Sequence, residues 1–216
     1  MLVNSFWHSS SDSGNTTLSL GTDVKRGAPV SHYYDYGYNC MFYTAAEMSA
    51  IPNGANIEKI SFEIEAVNSG TFNVMNQHVW IFQHNSGTEF PANLQINGDS
   101  LTDTTWNADK LNYTKIYNGE TLGITAPVSP YIMWHDMLVP SSFTWTANKP
   151  FCICWNNKDG DYQPGTSSYP RGLGIALAGT QPRYWAFDRR DLTVYSDTFV
   201  TNMNGTFRPN IRVYWN

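Results

Sequence analysis

From Lys59 to Ala66 the chain alternates without a break. Ile60, Phe62, Ile64 and Ala66 take one parity, and Lys59, Ser61, Glu63 and Glu65 take the other. A period of two belongs to a β-strand, because successive side chains point to opposite faces of a sheet. One apolar and one charged face describe a half-buried strand of an antiparallel sheet. A slip of one residue would send every carboxylate into the core, so the register of such a strand is strongly specified. The segment 57–67 therefore commits the chain to a β architecture with at least one solvated sheet face.

Further segments extend the pattern. Residues 74–83 and 111–117 predict strands, the second ending at a turn over Asn118-Gly119. In 151–156, Phe151, Ile153 and Trp155 share one face while Cys152 and Cys154 share the other. Both faces are apolar, as in a central strand. Short strands are expected at 122–124, 137–139, 173–178, 184–187, 192–195 and 210–215. Residues 89–110 read as irregular, with a turn signal at Asn97-Gly98. Thr44 with Glu47 three positions on has the form of a capping box and predicts a short helix over 44–49. The total is about nine to eleven short strands separated by turn signals, the pattern of an antiparallel β-sandwich of jelly-roll type. Residues 1–31, polar and rich in Gly, Ser and Thr, read as an extended N-terminal arm with one strand at 17–20. Residues 32–216 read as a single β-sandwich domain, with no internal repeat.

Composition narrows the class. Aromatic residues make up 15% of the chain and charged residues 14%. Helical bundles want far more Ala, Glu, Lys, Leu and Arg, and disordered chains want few aromatics. With 13 basic against 18 acidic residues and a net charge of −5, no nucleic-acid partner is expected. No run of about 18 apolar residues predicts a membrane span. The first residues lack the basic and apolar regions of a secretory signal. The three cysteines are Cys40, Cys152 and Cys154. They are expected to be buried thiols, with a bridge from Cys40 to one of the other two as the alternative.

Catalytic patterns are sparse. There is no nucleophile elbow and no P-loop. Gly172-Leu-Gly174 lacks the third glycine of a dinucleotide site. Cys152 and Cys154 with His135 make a weak zinc set. His78 and His84 suit strand ends. His135 and Asp136 are adjacent, so on a strand they point apart. No catalytic or cofactor-binding residue is therefore expected. Asp159 and Asp161, preceded by Asn156 and Asn157, crowd several oxygens into one turn. That is the one place for a structural Ca²⁺, against the plainer reading of a polar hairpin turn. Trp134 and the cluster Arg183, Tyr184, Trp185, next to Asp188–Asp191, mark candidate contacts to another subunit or to a glycan. Trp7 and Trp106 are further loop tryptophans.

Two stretches carry a family likeness. Tyr43–Met48 followed by Ile51–Phe62 has a small polar turn, a Pro-x-Gly bend and a strand opening on Ile. Lys115–Glu120, then Trp145–Trp155 and Asn156–Tyr162, has a turn, a strand with buried aromatics and an acidic turn. Together they resemble a jelly-roll-like β-sandwich module of Bacteroidetes surface proteins and of some phage virion proteins. The resemblance implies a display or adhesion role and no catalytic residues. An aromatic-rich β module without export signal or cysteine framework suits a virion protein, made in the host cytoplasm and working outside it. The expectation is a non-enzymatic structural component of a tailed phage, a capsid decoration or a tail or fibre part. Its partners would be other virion proteins and copies of itself, as a homo-oligomer, with a host-surface glycan as a further candidate. The alternative is a carbohydrate-binding or adhesion module of a bacterial surface or secreted protein.

Overall fold

The computed structural model describes residues 16–20, 25–27, 36–65, 70–85, 95–97, 100–101, 109–126, 132–140, 143–160, 171–176, 184–189, 198–200, 204–205 and 207–216. Within them every regular element is a strand. In chain order these are β1 (Thr16–Leu20), β2 (Lys25–Gly27), β3 (Tyr36–Tyr43), β4 (Ile57–Glu65), β5 (Gly70–His84), β6 (Gln95–Asn97), β7 (Ser100–Leu101) and β8 (Lys110–Ala126). They continue with β9 (Ile132–Leu138), β10 (Phe151–Asn157), β11 (Arg171–Ala176), β12 (Tyr184–Arg189), β13 (Thr198–Val200), β14 (Asn204–Gly205), β15 (Phe207–Pro209) and β16 (Ile211–Trp215).

Two antiparallel sheets make the sandwich. Sheet A runs β1-β16-β4-β11-β15, with β2 added on β11 and β9 on β4. Sheet B runs β14-β12-β3-β10-β5-β8. A small third sheet joins β13, β6 and β7. The all-β class expected from alternation holds. Two pieces of the segment 1–31, β1 and β2, pair with β16 and β11 in sheet A; the rest of that segment lies outside the described residues.

Between the sheets lies one core. Sheet A contributes Ile60, Phe62, Ile64, Ile211 and Val213, and sheet B contributes Met41, Tyr43, Val79, Ile81, Ile153 and Trp155. Phe143, Trp145 and Phe151 close one end, stacked edge to face at 6.0 and 5.5 Å. Such rings carry most of the burial energy in a core of this size. The other face of sheet B is buried as well: Cys40, Phe42, Trp80, Phe82, Cys152 and Cys154 are all fully inaccessible. The central-strand reading of β10 is therefore right on both faces.

Several local expectations are corrected. The segment 111–117 does not end at Asn118-Gly119, because β8 runs unbroken to Ala126. The pair works as a bulge. Gln77 opposes Glu120 and His78 opposes Asn118, which leaves Gly119 unpaired at φ +99°. Asn76 and Asn112, at φ +51° and +53°, lie at two other irregularities of the β5–β8 ladder. A left-handed residue is needed by a tight turn and by a bulge alike, so sequence cannot tell them apart. The short helix expected at 44–49 is a single turn. Its capping box forms: Thr44 N–H and Oγ1–H both donate to Glu47 Oε2 at 2.8 Å, and Glu47 N–H donates to Thr44 Oγ1 at 3.3 Å. Only Met48 N–H reaches back four residues, to Thr44 O at 3.1 Å, before Pro52 removes the donor a further turn would need. The region 89–110, expected to be irregular, contributes β6 and β7, which pair as Ile96↔Leu101 and Asn97↔Ser100. The strand expected at 137–139 starts earlier, at Ile132.

Candidate functional site

Alternation on β4, β16 and β9 produces two different faces. Ile60, Phe62 and Ile64 of β4 enter the core, while Lys59, Ser61 and Glu63 face outward. Antiparallel pairing aligns these with Arg212 and Tyr214 of β16 and with Trp134, Asp136 and Leu138 of β9. In register, Arg212 lies opposite Ser61, and Ser61 opposite Asp136. Tyr214 lies opposite Lys59, and Lys59 opposite Leu138.

The side chains on this face hold one another. The Arg212 guanidinium lies over the Trp134 ring at 3.9 Å, and Lys59 Nζ lies over the Tyr214 ring at 4.0 Å. Ring faces are electron-rich, so a cation placed there is attracted and the long side chain is kept in one pose. Lys59 Nζ also donates to Asp136 Oδ2 at 2.9 Å, and Ser61 Oγ–H donates to Asp136 Oδ1 at 2.5 Å. Asn210 Nδ2 donates to Glu63 Oε2 at 2.6 Å. The two cations of the platform, Lys59 and Arg212, thus lie among the carboxylates of Asp136 and Glu63. Beside them Leu138 is 76% exposed, the most open large apolar side chain among the described residues. Among those residues β9 has a single strand partner, β4.

Adjacent residues of β9 divide as expected. Asp136 points to the platform, while His135 lies opposite Phe62 on the core side. Burial, partly offset by Asp136, holds the His135 pKa below its ordinary 6.5. Its Nε2 finds no hydrogen-bond partner among the described residues. His135 belongs to sheet A and Cys152 and Cys154 to sheet B. Among the described residues no three His, Cys, Asp or Glu side chains gather as a metal site. No helix among them is long and apolar enough to cross a membrane.

The other sequence candidates lie elsewhere. Tyr184 and Trp185 are in β12, where their backbones oppose Met41 and Cys40 in sheet B. Arg183 and Asp161 lie outside the described residues, as do Trp7 and Trp106. Asp159 follows β10, and its N–H donates to Asn157 Oδ1 at 3.1 Å. The same oxygen accepts Gln77 Nε2 of the neighbouring strand β5 at 2.5 Å, so it already takes two protein donors. Gly160, next in the chain, has a left-handed φ of +74°. Among the described side chains, Trp134 is the aromatic candidate that lies in this polar–aromatic face. Lys59, Arg212 and Tyr214 were not singled out from sequence. Their signal was the outward parity of two alternating strands, legible only once β16 is known to lie beside β4.

No protein-family model, curated protein or solved structure matches this chain.

Proposed function

We propose that this protein is a non-enzymatic structural component of a virion, of the kind tailed phages carry on a capsid, tail or fibre. It works by holding neighbouring proteins and further copies of itself through the outer face of sheet A. The observation that carries this reading is the platform of Trp134, Arg212, Lys59, Tyr214 and Asp136 beside the exposed Leu138. Its side chains are already ordered by one another, so little entropy remains to be lost on docking. Aromatic and Arg side chains with an apolar neighbour have the makeup of contact hot spots. The low charge content and the likeness of segments 43–48, 51–62, 115–120 and 145–162 to a display module favour the same role. The protein would be made in the host cytoplasm and act on the particle, without nucleic-acid or membrane contact. The test is copurification with particles at fixed stoichiometry, with incorporation lost in Leu138→Asp. A chain that stays monomeric at high concentration and is absent from every particle overturns the reading.

A second reading has its own support. Trp134 and Tyr214 beside the carboxylates of Asp136 and Glu63 suit a sugar ring, which wants an aromatic plane and hydroxyl acceptors together. On that reading the chain is a carbohydrate-binding or adhesion module of a bacterial surface or secreted protein. A glycan array bound by the wild type and not by Trp134→Ala supports it.

A further inference from the structure

Sheet B holds two thiols in direct apposition. Cys40 of β3 and Cys154 of β10 are register partners, and the Cys154 S–H donates to Cys40 Sγ at 3.0 Å. Cys152, two residues away, opposes Phe42 on one side and Phe82 on the other, so it has no cysteine across either ladder. No disulfide joins the three, and all are buried.

We propose that Cys40 and Cys154 are a built-in cross-strand staple that closes when the chain folds under oxidising conditions. Directly opposed residues of an antiparallel pair have Cα atoms about 4.5–5.5 Å apart, inside the range disulfides span. Bringing the sulfurs to about 2.05 Å takes roughly 1 Å of side-chain movement. The oxidant is a low-molecular-weight disulfide. One thiolate attacks it, forming a mixed disulfide and releasing one thiolate of the reagent. The second cysteine, after losing its proton, attacks the protein-bound sulfur of that mixed disulfide. The Cys40–Cys154 bond forms and the second reagent thiolate leaves. Two protein thiols are oxidised, and one reagent disulfide is reduced to two thiols. Lys110 lies over the Phe82 ring at 4.9 Å, on the same side of sheet B as the pair. Full burial keeps the pair from the reagent in the folded protein, so closure belongs to folding or to local opening. In the folded protein burial pushes the Cys152 thiol well above its ordinary value, and its ladder neighbours Phe42 and Phe82 offer it no cysteine to join. The staple would tie the two middle strands of sheet B across 114 positions of sequence, a long loop whose closure restricts the unfolded chain most. The inference is independent of the proposed virion role.

The test is refolding of the full chain from urea with oxidised and reduced glutathione, or with reductant alone. Remaining thiols are then alkylated in denaturant and the digest is mapped by mass spectrometry. The expected result is a Cys40–Cys154 peptide, with Cys152 alkylated and a melting temperature about 10 °C above that of the reduced form. Cys152→Ala should keep both the link and the shift, and Cys40→Ala should lose both. Three alkylated cysteines after oxidative refolding, or a link through Cys152, overturn the proposal. A mapped link without a rise in melting temperature overturns its role as a staple.

Discussion

Phe62 of sheet A meets Trp155 of sheet B edge to face, with ring centroids 5.7 Å apart and planes at 72°. Both rings are fully buried, so this contact spans the sandwich at its centre. Removing the Phe62 ring opens a cavity that the opposing sheet cannot follow. Phe62→Ala should cost about 3–5 kcal/mol, and the melting temperature should fall by roughly 10 °C. Phe62→Leu, which refills part of the volume, should lose less than half of that. Equal losses from the two variants would mean that the ring is not packed as described.

The same tryptophan is held at its polar end. Trp155 Nε1–H donates to Gln77 Oε1 at 2.6 Å, and Gln77 Nε2 donates to Asn157 Oδ1 and to Met75 O. Gln77→Leu keeps the bulk but leaves a buried indole N–H without its acceptor. A loss of about 2–3 kcal/mol is expected from the denaturant midpoint, with an unchanged slope. A neutral result would show that the indole finds another partner.

Gly119 and Gly123 both lie in β8 and separate two causes of glycine preference. A Cβ at either meets only ordinary contacts, 3.5 Å from Asn76 Oδ1 and Asn73 Oδ1 respectively. Gly119 alone has a left-handed φ, +99°. Gly119→Ala should therefore cost about 1–2 kcal/mol while Gly123→Ala is neutral or slightly stabilising. Matching thermal melts for the two would remove the bulge as the explanation.

Acid should act through His135. Its folded pKa is lowered by burial, so the unfolded chain takes up the proton first as pH falls. Its contribution is complete above 6.5, its ordinary value, and is lost as pH falls from there through the lowered folded pKa. Urea titrations of the wild type should give lower stability at pH 5.5 than at pH 7.5. In His135→Asn that difference should shrink. An unchanged difference would assign the acid sensitivity to other groups.

Trp134→Ala removes a ring on the outer face rather than in the core, together with its stack against Arg212. Stability should change by no more than about 1 kcal/mol. Particle incorporation or glycan binding should fall at least tenfold under the function proposed. Loss of folding instead would make the stack structural rather than functional.

The alternation from Lys59 to Ala66 was enough to determine a strand, its buried face and its antiparallel setting, because side-chain parity is a local property of the backbone. Two polar positions show where that ends. Ser61 was assigned to the solvated face, and it does point there, yet it is fully buried, in register between Arg212 and Asp136. Gln77, within a strand expected from sequence, is buried under Trp155 as its acceptor. The Asn118-Gly119 pair announced a left-handed residue but not whether the chain would turn back or bulge onward. Composition and parity determined the all-β class, the core face of each strong strand and the burial of all three cysteines. Tertiary structure alone decided which strands are neighbours, and with that the Arg212–Trp134 stack and the Cys40–Cys154 apposition. The physical reason is that strand pairing joins residues tens of positions apart, through backbone hydrogen bonds that every sequence can make.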